Sequence, residues 1–353
     1  MLTESKLPCM HSVCFATRPG RRLPLLSHLL RMKCKQRVAG LLSVTVLSCC
    51  CILFHLMHTL DDAQAEFIFR LRSSSPVNQT LHVEIFSAPL ESLILHSPPD
   101  FKPQLLILIP SVAFNFEERG RVRREWANPA KSQAIRNGTA EVVFLIGKVP
   151  WDNARASIIE SDIHIESRLH EDVLQVDVEE SYPNLVHKLS VGFLWATSAD
   201  GPMPKHIIKL DTDVAINPDR FIDEIPMLEH DNGSAVLWCR VIDSLRVDRD
   251  LASKWFVQAS SYPWSRFPRF CSGPTYIGRR ETYEKIIRSA ADKQVISPED
   301  AFFTGIVAEG VGVERKCGSS LISFQKSTIS ACPESQATLS IASSDHDEEL
   351  KIP

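Results

Sequence analysis

The ten cysteines include no Cys-x-x-Cys pair, so the zinc-ribbon and redox spacings are absent. No internal repeat or low-complexity block interrupts the middle of the chain, which excludes solenoid and propeller arrays. A basic excess is also missing where nucleic acid would need it. Eight basic residues and one acid precede Val38; beyond Leu60, 31 basic residues face 42 acidic ones, a net charge of −11. A body of that sign does not suit a polyanion, so no nucleic-acid partner is expected.

What is present begins with an uncharged run. Residues 38–60, VAGLLSVTVLSCCCILFHLMHTL, contain no Asp, Glu, Lys or Arg. At about 1.5 Å per residue such a helix covers the roughly 30 Å hydrocarbon core of a bilayer. The basic residues crowd its N-terminal side while Asp61, Asp62 and Glu66 follow it, which orients residues 1–37 as a cytosolic tail and the remainder as lumenal. A buried core helix and a cleaved signal peptide are the alternatives; no small-x-small cleavage pattern follows the run. On the lumenal side, four cysteines (Cys239, Cys271, Cys317, Cys332) permit two disulfides in any of three connectivities. Asn78, Asn137 and Asn232 open glycosylation sequons there.

Residues 61–102, broken by Ser73-Ser74-Ser75-Pro76 and Ser97-Pro98-Pro99, read as a stem with little packed structure. A lumenal domain over 103–332 follows, and an acidic, Ser-rich tail over 333–353 reads as disordered. Inside the domain, short apolar runs at 105–109, 142–146, 173–176, 207–210 and 235–238 predict buried strands. Leu185, Leu189, Phe193 and Ala196 recur at helical spacing. Strands alternating with helices predict an α/β domain with a mainly parallel sheet flanked by helices, whose ligands gather beyond the carboxyl ends of the strands.

Four segments there carry chemistry. Lys209-Leu210-Asp211-Thr212-Asp213 ends a strand run; in an extended segment Asp211 and Asp213 point the same way, and their hard oxygens suit Mn²⁺ or Mg²⁺ shared with a diphosphate. A solvated turn is the plain alternative. Ser297-Pro298-Glu299-Asp300 reads as a helix start, so Asp300 serves either as a cap or as an ionised general base beside Glu299. An aromatic-rich stretch offers Trp255, Gly273 and Tyr276 to a sugar or a uridine, or else to the core. Arg119 and Arg123 in the basic run 119–124 suit a diphosphate or inner acidic partners.

In this order the segments resemble the β1,3-galactosyltransferase family of type II Golgi enzymes over about residues 103–316. The family's Arg-Arg-x-x-Ile-Arg-x-Thr-Trp block falls on Glu118–Trp126, its Phe-Leu-(Leu/Ile)-Gly strand on Phe144–Gly147, and its Asp-Ile to Lys block on Asp172–Lys188. Lys-x-Asp-Asp-Asp falls on Lys209–Asp213, Tyr-Pro-x-x-x-x-Gly-x-x-Tyr on Phe267–Tyr276, and Glu-Asp-Val-x-x-Gly on Glu299–Gly305. Glu118, Glu125 and Thr212 depart from the pattern, and no His lies between Gly305 and Cys332 to complete a metal shell.

The resemblance implies a GT-A-type domain and an inverting hexosyltransferase. It would move galactose, or N-acetylglucosamine, from a UDP-sugar to a glycoprotein or glycolipid hydroxyl in a β1,3 linkage at the Golgi membrane. It implies Asp213 as the metal ligand, Asp211 as the partner of the nucleotide with Lys209 beside it, and Asp300 as the catalytic base. The alternative is a catalytically silent, membrane-anchored member that binds a sugar or assists another protein.

Overall fold

A computed structural model describes residues 77–150, 155–228 and 234–318, together with Ser48 and the short pieces 323–324 and 340–341. The remainder of the predicted span at 38–60, Asn232 and nearly all of the acidic tail lie outside the described residues. Among the described residues no helix is long and apolar enough to cross a membrane.

The core is one eight-stranded sheet with helices on both faces. Its strands are β1 (Ile94–His96), β2 (Leu105–Pro110), β3 (Ala140–Lys148), β4 (Val173–Glu179), β5 (His206–Leu210), β6 (Val236–Ile242), β7 (Phe270–Arg279) and β8 (Glu314–Cys317), in the order β1-β4-β3-β2-β5-β7-β6-β8. The β4-β3-β2-β5 centre is parallel throughout. Its strands are buried on both faces, as their continuous apolar runs require. Along β2, Leu106 and Leu108 enter one apolar cluster while Leu105, Ile107 and Ile109 enter another, so strand alternation feeds two separate layers.

The sheet is mixed, not mainly parallel, which corrects the expectation. Strand β7 runs antiparallel to both β5 and β6, and β1 runs antiparallel to β4. The segment from 243 to 269 joining β6 to β7 contains no helix, so the chain returns beside β6 in the opposite direction without a crossover. A register shift between Cys239 and Val241 interrupts the β6–β7 ladder, near the stretch of β7 that includes Gly273 and Pro274. Cys239 and Cys271 form a disulfide between these neighbouring strands, with Cα atoms 5.5 Å apart. Cys317 is disulfide-bonded as well.

The segment expected to be an unpacked stem is folded over its second half. Asn78 caps helix α1 (Gln79–Ser87) by accepting from the amides of Thr80 and Leu81. Ile85 and His82 of α1 are buried, and β1 adds an edge strand. Helix α1 also holds the chain ahead of residue 299: Gln79 Oε1 accepts from the Val295 amide at 2.9 Å, and His82 Nε2 lies 2.8 Å from the Ala290 carbonyl oxygen. The sequence concealed this because its apolar residues show no sustained period across the prolines.

The remaining helices are α2 (Phe116–Arg124), α3 (Gln133–Arg136), α4 (Ala156–His170), α5 (Leu185–Thr197), α6 (Pro218–Leu228), α7 (Arg280–Ala290) and the short α8 (Ala308–Gly310). A π-helical turn, Ala301–Val307, precedes α8. Such turns are rare and concentrate at functional sites.

Candidate active site

The site forms where β5 ends. Lys209 is 1% exposed, and its ammonium donates to Asp211 Oδ1 at 2.5 Å and to the Gly273 carbonyl at 2.7 Å, with Glu299 Oε1 at 3.0 Å. Strand β7 brings Gly273 and Tyr276 against β5, and the Asp211 amide donates to the Pro274 carbonyl at 2.9 Å. The chain turns at once, Val214 N donating to Asp211 O at 3.2 Å. Asp211 and Asp213 therefore do not share a strand face as expected: Asp211 is drawn onto Lys209, while Asp213 lies exposed.

Asp300 begins the π-helix, and its two oxygens have different surroundings. Its Oδ1 accepts from the Ala301 amide at 2.7 Å and so caps the turn. Its Oδ2 faces Gly273, where an added Cβ would stand 3.2 Å away. Thr304 locks the turn to β7 by donating to the Asp300 carbonyl at 2.6 Å and accepting from the Cys271 amide at 2.8 Å. Ser297, the other half of the expected capping box, has a buried hydroxyl with no bonding partner among the described residues.

One buried ammonium thus faces three carboxylates. Burial pushes the Glu299 carboxyl up to about 8, against the pull of Lys209 and with the push of Asp300 and Asp211. Burial also raises Asp300, to about 6, opposed by the Ala301 amide and by Lys209. Burial works against the charge of Lys209, but Asp211 and Glu299 outweigh it and hold its pKa above the ordinary value. The two carboxyls are thus set apart, Asp300 being the more readily ionised and Glu299 the one that burial raises further.

The arginine expectation is corrected. Arg119 is fully buried, and its donors are spent on Glu166, Ser111 Oγ and the carbonyls of Val112 and Ala113. Arg123 binds Asp172 twice at 2.7 Å and Glu166 at 2.6 Å. These guanidinium groups hold α2 against α4 and the entry to β4; they take the inner acidic partners and keep no reach for a diphosphate. The Asp172–Lys188 block is explained in the same way. Lys188 donates to Glu180 at 2.6 Å, and Glu180 accepts from the Gly147 amide at 2.6 Å. A Cβ on Gly147 would meet the Val178 carbonyl at 2.3 Å, so this position excludes any side chain.

Trp255 is 42% exposed on the 243–269 segment, with the Lys254 ammonium over its ring at 4.8 Å and at 5.9 Å from the Tyr182 ring. Tyr276 is buried, with its ring 5.8 Å from Lys209 Nζ; its core contacts leave it no surface for a sugar. Sequence reasoning missed two neighbours. Burial, and then the charges of Asp300 and Glu299, raise the pKa of Tyr182, placing that phenol beside the carboxylates. Glu118 accepts from Thr212 Oγ1 at 2.7 Å, so two of the departures from the family pattern touch each other. Both residues lay inside the matched blocks, the only signal that pointed to them.

The Asp211-Thr212-Asp213 turn presents carboxylate oxygens of the kind a divalent cation takes. Asp213 is exposed by surface area, yet enough protein surrounds its carboxyl that desolvation raises its pKa, reinforced by Asp211 and by Glu118. This is surplus negative charge on hard oxygens, the chemistry that Mn²⁺ or Mg²⁺ relieves. Among the described residues no cluster of three or more His, Cys, Asp or Glu side chains forms a metal cage. The residues fit an ion held jointly with a diphosphate.

Residues 117–318, more than half of the chain, match the family model described as Galactosyltransferase. The chain belongs to that family. Its galactosyltransferase-family relatives include beta-1,3-galactosyltransferase bre-2 of Caenorhabditis elegans, 27% identical over 60% of this chain and 59% of that protein. Another is human beta-1,3-galactosyltransferase 1, 28% identical over 60% of this chain and 61% of that protein. The matches thus span about three-fifths of the length of these relatives. Among solved structures, a mannosyltransferase of Pyrobaculum calidifontis in complex with GDP-Man and Mn²⁺ is 15% identical at a TM-score of 0.29, covering 68% of this chain and 60% of that one. At that TM-score the likeness bears on neither fold nor chemistry.

Proposed function

We propose that this chain is an inverting glycosyltransferase of GT-A type that moves galactose, or N-acetylglucosamine, from a UDP-sugar to a glycan hydroxyl of a glycoprotein or glycolipid, forming a β1,3 linkage. The observation that carries the reading is Asp300: a half-buried carboxylate beside Gly273 and next to the Asp211–Asp213 turn, within a galactosyltransferase-family match. Asp300 Oδ2 takes the proton of the attacking acceptor hydroxyl while Oδ1 stays bound to the Ala301 amide, so the base does not swing. Lys209 holds Asp211 and Glu299 and offsets their charge beside it. Asp213, with Asp211, would hold Mn²⁺ or Mg²⁺, which supplies charge stabilisation for the departing UDP. Trp255 on the 243–269 segment is the surface for the acceptor sugar.

The rest of the setting follows the sequence: a single-pass type II protein of the Golgi membrane, anchored through 38–60, with N-glycans at Asn78, Asn137 and Asn232. The Cys239–Cys271 disulfide supports an oxidising lumen. UDP release from UDP-galactose and UDP-N-acetylglucosamine with Mn²⁺ and a glycan acceptor tests the reading, comparing the full chain with Asp213→Ala and Asp300→Ala. Equal, measurable rates in all three would sink the site assignment, whereas no turnover above background by the parent chain would support a catalytically silent member.

A further inference from the structure

Helix α2 lies between two different sets of partners. Arg119 and Arg123 root it in the Glu166–Asp172 cluster, and Asn115 Oδ1 accepts from the Glu118 amide at 3.4 Å at its start. Glu118 and Arg121 stand three residues apart and therefore on one face. Both reach Thr212. Its hydroxyl donates to Glu118 Oε2 at 2.7 Å, and its carbonyl accepts from Arg121 Nη2 at 3.0 Å.

Thr212 is the middle residue of the turn. On its N-terminal side Asp211 is fixed by Lys209 and by the Pro274 carbonyl. On its C-terminal side Asp213 is exposed, its carboxylate bonded to its own backbone amide. The two bonds from α2 therefore set where the Asp213 backbone begins.

We infer that Glu118 and Arg121 clamp the turn through Thr212, which makes Glu118 a positioning residue for the binding of a divalent cation and a nucleoside diphosphate; the inference rests on the donor-binding reading above. Glu118 acts by accepting the Thr212 hydroxyl, and Arg121 by holding the carbonyl of the same residue. An ordered Asp213 then presents its oxygens without first surrendering backbone freedom, which is where affinity is gained.

The test is Mn²⁺ binding to the full chain in detergent micelles, read from the paramagnetic resonance signal of free Mn²⁺ with and without UDP. The variants are Glu118→Ala, Glu118→Gln, Thr212→Val, Thr212→Ser and the double Glu118→Ala/Thr212→Val, each checked for folding by thermal unfolding. Glu118→Ala and Thr212→Val should weaken Mn²⁺ binding in the presence of UDP by about ten- to 150-fold, the range of one hydrogen bond to a charged acceptor. The double variant should be no weaker than the worse single, because both remove the same link. Glu118→Gln and Thr212→Ser, which keep the bond, should stay within about threefold of the native chain.

Additive losses in the double variant, unchanged binding in the two singles, or a Glu118→Gln variant as weak as Glu118→Ala would each overturn the clamp. Should Glu118→Ala not fold, the contrast between Thr212→Val and Thr212→Ser decides. A native chain that binds no Mn²⁺ with UDP overturns the donor-binding reading and the clamp together, whereas native binding with indifferent variants overturns the clamp alone.

Discussion

If Asp300 is the base that deprotonates the acceptor, the acid side of the pH–rate profile belongs to it. Its carboxyl is raised by burial to about 6, with the Ala301 amide and Lys209 limiting the rise. A base works only when ionised. For one titrating group at that value, about nine-tenths of the protein is competent at pH 7 and about a tenth at pH 5, and the rate falls tenfold per unit below that. kcat/KM reports the free protein, so UDP release should be followed at sub-saturating donor and acceptor from pH 4.5 to 9 at constant ionic strength. Asp300→Asn, which keeps the shape and an acceptor for the Ala301 amide, should lose about 10²- to 10⁴-fold of the rate and lose the acid limb with it. Glu299→Gln should leave that limb near pH 6, since burial holds the Glu299 carboxyl up at about 8 and it is Lys209 and Asp211 that act on Asp300. A profile flat down to pH 4.5, or an Asp300→Asn variant with the native slope, would refute the assignment.

Three further outcomes are expected. Burial, and then His82, hold His187 down to about 4, below its ordinary 6.5, so the unfolded chain takes the proton first. Stability should therefore be unaffected by this group above about pH 6.5 and fall by as much as about 3 kcal/mol towards pH 4, a loss that Gln at 187 flattens in denaturant titrations. Replacing both Cys239 and Cys271 by Ala opens a loop of 32-residue separation and should cost about 3 to 4 kcal/mol by chain entropy, seen as a lower urea midpoint that reductant no longer moves at this pair. A chain shortened to begin at residue 103 loses buried Ile85 and bares the edge of β4. It should unfold at lower denaturant or aggregate, whereas one beginning at residue 77 should match the parent.

The parallel centre was legible because each of its strands is a run of apolar residues buried on both faces, and such runs need no partner to be recognised. Strand β7 was not, since Gly273 and Pro274 read as loop; only the irregular ladder with β6 makes them tolerable in a strand. Helix α1 and β1 were lost for a related reason: the prolines around them imitate a linker, and their fit depends on Ala290 and Val295, two hundred residues further on. At the site, the residues of the Lys209–Asp213 and Glu299–Gly305 motifs do lie together, because motif spacing survives without coordinates. The arginines were misassigned because a guanidinium facing inward and one facing a phosphate have the same sequence. Which of the two applies is decided by Glu166, on a helix outside the matched blocks.

Lys209 carries a consequence for how this protein can change. Asp211, Glu299 and the Gly273 carbonyl all lean on its single ammonium, and Asp300 is tuned by it. A neutral residue at 209 would strand two acids at one stroke, and loss of Asp211 would alter the charge that Lys209 and Asp300 feel. These positions are free to drift only together, so the route from one sugar specificity to another should run through the exposed 243–269 segment around Trp255, where a change leaves that shared counter-charge untouched.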